Sequence, residues 1–199
     1  MSNFLPTHEI CAKENIHRSV TIEQNACSLE HMDIIVDGKP NKFTQILENT
    51  YTDSILVLRK GNVLYERYFN GMRTHTKHLL QSVSKSILGV LYAIMINKGV
   101  IDPEHGSGFQ YCSATTDVLA WLISHVTGMT YAKLLERELW IPMGAQQNAN
   151  ITVDSAEMAV GNGCISCTSL DMAIFVQLVL NGGKTPTGVD CTNVQHETL

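Results

Sequence analysis

Apolar positions along the chain mark out a hairpin, a long apolar helix and three further helices. Ile55-Leu56-Val57-Leu58 is an unbroken apolar run, and Lys60-Gly61-Asn62 reads as a turn. Val63-Leu64-Tyr65-Glu66-Arg67-Tyr68-Phe69 returns, so residues 54–69 are expected to form a β-hairpin. Its first arm lacks alternation and is expected to be covered on both faces. Upstream, Asp33-Ile34-Ile35-Val36 is the one strand-like run, closed by Asp37-Gly38, and Asn41 to Asn49 fits a short helix.

Beyond a polar loop, Ile87, Val90, Leu91, Ile94 and Met95 define a helical face, with Leu88 and Ile96 apolar as well. Such a helix should be buried on nearly all sides and end at Gly99. A second helix is expected over about Thr115 to Val126, with Asp117 in its first turn and Gly128 past its end. A third runs from Tyr131 to Trp140 behind Thr130 as N-cap. A fourth follows Thr168, where an acid three residues on resembles a capping box, and closes at Asn181-Gly182-Gly183. From pattern alone the fold class is α+β: a small antiparallel sheet with helices packed against it. Three segments are expected: a polar stretch at 1–40, a domain at 41–183, and a loose tail at 184–199.

Composition narrows the partners. The chain has 199 residues, 44% hydrophobic and 17% charged, with a net charge of −5, which is globular and mildly acidic. No Lys/Arg run suits nucleic acid or an acidic membrane surface. The longest apolar stretch is too short for a bilayer, and no secretory leader is visible, so a cytoplasmic location is expected. The six cysteines are scattered and read as reduced thiols.

Ser82 and Lys85 form an S-x-x-K at the start of the apolar helix. Residues three apart share a helix face, so the amine can reach the hydroxyl. Burial and the positive end of the helix both disfavour the ammonium form, which lets the amine take the Ser proton. Free N–H groups of the first turn can help hold an oxyanion. The bland reading, with Ser82 a simple N-cap, stands beside it. Tyr111 and Ser113 precede the next helix; a phenol there can relay a proton and Ser113 can hydrogen-bond in the same pocket. Packing and capping are their bland roles.

Gln81-Ser82-Val83-Ser84-Lys85-Ser86, then Phe109-Gln110-Tyr111-Cys112-Ser113 running into Thr116-Asp117-Val118-Leu119-Ala120-Trp121, then Glu138-Leu139-Trp140-Ile141-Pro142-Met143-Gly144, together resemble the serine β-lactamase-like and penicillin-binding-protein-like hydrolases. Within that group they look most like the 6-aminohexanoate-dimer hydrolases and related esterases. The resemblance covers roughly Phe43 to Gly183. It implies a β-lactamase-like fold, Ser82 as acylated nucleophile, Lys85 as its base, Tyr111 as proton relay, and Ser113 as a polar substrate-binding residue. No cofactor and no metal are implied, and the substrate would be a small amide or ester.

Two departures accompany it. Such proteins carry a long helical segment between the S-x-x-K helix and the tyrosine loop, whereas here Val100 to His105 runs almost directly into Gly106. Lys184-Thr185-Pro186-Thr187-Gly188 also differs from the family's C-terminal K-T-G or H-x-G strand. The chain is therefore expected to be a shortened member, either active with an open site or catalytically impaired. Tyr111 should still reach Ser82: the helix carries the chain about 22 Å away, and the residues from Gly99 to Gln110 span up to about 40 Å. A third, weaker reading is a redox or metal-binding protein built on Cys164 and Cys167. No second C-x-x-C completes a zinc site, and two small residues in a Gly-rich turn is the plainer account. His75 and His78 read as a solvated pair, and Gly161-Asn162-Gly163 as a turn.

Overall fold

The computed structural model describes residues 5–13, 27–101, 111–185, 188, 190 and 191. In chain order the first elements are β1 (Thr7–Ile10), α1 (Cys27–Glu30), β2 (Asp33–Val36), β3 (Lys39–Lys42), α2 (Phe43–Asn49), β4 (Ser54–Arg59) and β5 (Asn62–Tyr68). Then come β6 (His78–Leu79), a 3-10 turn (Gln81–Val83), α3 (Ser84–Asn97), α4 (Ser113–Thr127) and α5 (Tyr131–Leu135), which runs into a π-helical turn (Glu136–Trp140). β7 (Ala149–Thr152), β8 (Ile165–Cys167) and α6 (Ser169–Leu180) complete the series. The chain divides into two units, one of Met1–Ile16 with Lys77–Leu199 and one of His17–Thr76.

The larger unit is built on an antiparallel sheet in the order β1-β7-β8-β6. Ile10, Ile151 and Ile165 from three of its strands enter one core with Ile87, Leu91 and Ile94 of α3, Leu134, Leu139 and Trp140 around α5, and Phe175 and Leu178 of α6. Sequence pattern did not show these four strands. They are two to four residues long, too short for a period-2 signal, and are held by pairing across distant segments.

The helices lie close to their expected places. Thr130 Oγ1 accepts from Lys133 N, and Thr168 Oγ1 accepts from Asp171 N at 3.1 Å. Gly99 and Gly128 take the left-handed conformation, at φ +69° and +66°, that ends a helix without a Cβ penalty. Three corrections follow. α3 is not buried all round, because Ser86, Gly89, Ala93 and Asn97 are exposed. α4 starts at Ser113, so Asp117 sits in its second turn, too deep to act on the helix dipole. The segment after Gly183 is not wholly loose: Lys184 bridges to Asp190, and Cys191 is fully buried and donates its N–H to Gly183 O.

In the smaller unit, β2–β3 and β4–β5 are separate two-stranded antiparallel hairpins. The β4–β5 turn has Lys60 and Gly61 at positive φ, the geometry that suits strand twist. β4 was expected to be covered on both faces, but its residues are only half-buried. Phe43 meets the buried Tyr65 edge to face at 5.7 Å.

Candidate active site

β6 delivers the chain directly to the nucleophile candidate. Leu80 N donates to Ile165 O at 2.8 Å, which ties the strand end to β8. Gln81 follows at φ +50°, in a region that L residues rarely occupy. Ser82 then lies in the 3-10 turn, exposed to solvent, and α3 begins two residues later. Strain of this kind, of order 1–3 kcal/mol, is held in place by surrounding structure. Here the Leu80 bond holds one side. The buried Ser84 holds the other, its Oγ accepting from Ile165 N at 3.2 Å.

The side chains singled out in the sequence converge on Ser82 Oγ. Lys85 Nζ donates to it at 3.3 Å and Tyr111 OH donates to it at 3.1 Å. Lys85 Nζ also sits 5.3 Å from the centre of the Tyr111 ring, within cation–π range. Hydrogen bonds to Ser82 and Lys85 and the nearby Lys85 charge outweigh desolvation and lower the Tyr111 phenol below its ordinary value. Ser113, the first residue of α4, contributes a smaller hydrogen bond of the same sign. Tyr111 and Ser82 are thus brought together, while residues 102–110, the connection that precedes Tyr111, lie outside the described residues.

Burial does not act on this cluster as expected. Ser82 is exposed, Lys85 is half-buried, and Tyr111 is 62% exposed. Two of the amides beside the nucleophile are taken within the turn. Val83 N donates to Leu80 O, and the Ser84 N–H is taken by the carbonyls of the 3-10 turn.

Sequence reasoning missed two members of the site. Lys85 Nζ makes a short hydrogen bond to the main-chain carbonyl of Asn162. Asn162 in turn donates its N–H to Asp117 Oδ1 at 3.0 Å and its Nδ2 to Asp117 Oδ2 at 2.6 Å. The signal lay in Gly161-Asn162-Gly163. A Cβ on Gly161 would come 2.9 Å from Ala120 Cβ, and one on Gly163 would meet the Gln81 carbonyl carbon at 3.4 Å. The glycines let this turn lie against α4 on one side and the strained Gln81 on the other. Asp117 also lines a mostly apolar cleft of about 360 Å³ with Val118, Trp121, Met158 and Val160.

The cysteine pair is not arranged for redox or metal chemistry. Cys164 precedes β8 and Cys167 ends it, so a three-residue offset along extended backbone turns them to opposite faces. Burial pushes both thiols up, Cys167 to about 12, which keeps them protonated. Among the described residues, no group of three or more His, Cys, Asp or Glu side chains could hold a metal ion. No single described helix is long and apolar enough to cross a membrane.

No family model matches the chain. The 6-aminohexanoate-dimer hydrolase of Paenarthrobacter ureafaciens is 31% identical over 218 positions, which take in 72% of this chain and 56% of the relative. The chain thus spans little more than half the length of that curated relative. The matched stretch is longer than the part of this chain it uses, so the relative carries residues inside it that this chain lacks. Among solved structures, a Bacillus anthracis protein provisionally named a 6-aminohexanoate-dimer hydrolase superposes with a TM-score of 0.86 at 20% identity, covering 94% of this chain and 69% of that one. A provisionally named β-lactamase from Bacteroides dorei gives 0.54 at 11% identity, covering 74% and 64% of the two chains. FmtA from Staphylococcus aureus gives 0.55 at 12%, covering 69% and 63%. The fold is β-lactamase-like, and the chain is related in sequence to the 6-aminohexanoate-dimer hydrolases.

Proposed function

We propose that this hydrolase relative acts as a serine hydrolase on small amides or esters, through an acyl-enzyme on Ser82. The observation that carries the reading is the convergence of Lys85 Nζ and Tyr111 OH on Ser82 Oγ, at 3.3 and 3.1 Å. Lys85 is the base that takes the Ser82 proton as Oγ bonds to the substrate carbonyl carbon. Tyr111 passes a proton to the leaving oxygen or nitrogen as its bond to that carbon breaks. The proton on Lys85 then passes to Tyr111; water attacks the acyl carbon and gives one proton to this pair, and as the carbon–Oγ bond breaks Ser82 Oγ takes a proton back from it, which restores the starting state. The lowered phenol supports the relay role, because an acid nearer neutrality transfers its proton more readily in both directions.

The same geometry bears on substrate. Ser82 and Tyr111 are exposed, and water weakens the electrostatic contribution that usually dominates acyl transfer. An activated ester, whose leaving group needs little protonation, is therefore favoured over a linear amide. Steady-state rates on p-nitrophenyl acetate and on a linear 6-aminohexanoyl amide test this, with Ser82→Ala as control. The expected result is Ser82-dependent ester turnover that survives EDTA, with far slower amide turnover. Ester turnover unchanged in Ser82→Ala would overturn the mechanism. Efficient Ser82-dependent amide turnover would overturn the substrate preference.

A further inference from the structure

We propose that Asp117 is a positioning residue for Lys85, acting through the Asn162 peptide. The inference rests on the serine hydrolase reading of the same site. A lysine amine ends a flexible four-carbon stem, and its location is set by what it can donate to. At 3.3 Å the Ser82 hydroxyl is a weak anchor, whereas the Asn162 carbonyl is closer. A carbonyl can hold the amine only if it is itself held. Both donors of Asn162, main-chain N–H and side-chain Nδ2, go to the two oxygens of one carboxylate. That pairing fixes the peptide plane and the side chain together. The contact of Gly161 with Ala120 presses the turn onto the helix that carries Asp117. Asp117 touches neither Ser82 nor Lys85 in this chain of contacts, so its effect on the reaction is indirect.

Two readouts test this on the full chain. The first is the ionisation of Tyr111, taken as the ultraviolet difference between each protein and its Y111F form. Removing a carboxylate by itself would ease phenol ionisation. Releasing Lys85 from its place beside the ring would hinder it. The expected result in Asp117→Ala is a rise of the phenol midpoint, with a smaller rise in Asp117→Asn, which keeps one acceptor at similar volume. The D117N/N162D double variant, which restores a side-chain pair, should return the midpoint toward that of the parent. A midpoint that stays or falls in Asp117→Ala would overturn the proposal. The second readout is the rate of fluorophosphonate capture at Ser82. Loss of alignment should slow it about a hundredfold in Asp117→Ala, with recovery in D117N/N162D. An unchanged rate would overturn the proposal even if the midpoint rises. Capture persisting in Ser82→Ala would instead remove the hydrolase reading, whatever the titration gives.

Discussion

Gly161 is the residue on which the geometry of the turn is most sensitive. A methyl there would sit 2.9 Å from Ala120 Cβ, whereas at Gly163 the closest approach is 3.4 Å. Gly161→Ala is expected to destabilise by about 1–3 kcal/mol as the turn is forced off α4, and Gly163→Ala to cost much less. Thermal midpoints of the two variants check the order. Tyr131 makes a contrasting case. Its hydroxyl is buried without a hydrogen-bond partner among the described residues, and burial alone pushes the phenol up. Tyr131→Phe is expected to leave stability unchanged or raise it by about 1 kcal/mol; a denaturant midpoint well below the parent's would show that the hydroxyl is in use. At this scale Ser82, Lys85 and Tyr111 were legible because each carries its chemistry in its own side chain and sits at a recognisable spacing. Asn162 was not, since its contribution to Lys85 is a main-chain carbonyl that any residue possesses. Asp117 was visible only as a helix residue, because the partner that gives it meaning lies 45 positions away. The strain at Gln81 has no signature in its type.

The helices were legible because caps and 3.6-residue periodicity are local: Thr130, Thr168, Gly99 and Gly128 act within a few residues of themselves. The short strands of the large unit were not, since their order is decided by pairing between positions as distant as His8 and Ile151. β1 also depends on side chains from elsewhere. Cys11 N donates to Glu136 Oε2 at 2.8 Å and Ala12 N to Asn148 Oδ1 at 2.8 Å. Burial pushes the Glu136 carboxyl up, but the Cys11 N–H and the Lys133 ammonium outweigh it and hold the group below its usual value of 4.5. A depressed folded value means that Glu136 lends stability above the unfolded value. That stability is lost as pH falls through the folded one. Glu136→Gln should therefore lower the thermal midpoint at neutral pH and narrow the gap to the parent below pH 4.5. A gap that is constant from neutral to acid pH would remove the carboxylate from the account.

On the scale of the whole molecule, the α+β class followed from pattern, while the β-lactamase-like fold followed from motif order and is matched by solved structures. Which residues pack as a unit was not legible: Met1–Ile16 clusters with Lys77–Leu199, because β1 pairs with β7 across most of the chain. The core of that unit is continuous from Ile10 to Cys191. It supports α3, β8 and α4, the elements around Ser82, Lys85, Asn162 and Asp117. The central claim is that this arrangement makes Ser82 a nucleophile. Intact-mass measurement after fluorophosphonate treatment, followed by peptide mapping, tests it most directly. The account predicts a single adduct located on Ser82, lost in Ser82→Ala and strongly slowed in Lys85→Ala. Equal labelling of the parent and Ser82→Ala, or no adduct on the parent under conditions that saturate an ordinary serine hydrolase, would contradict it.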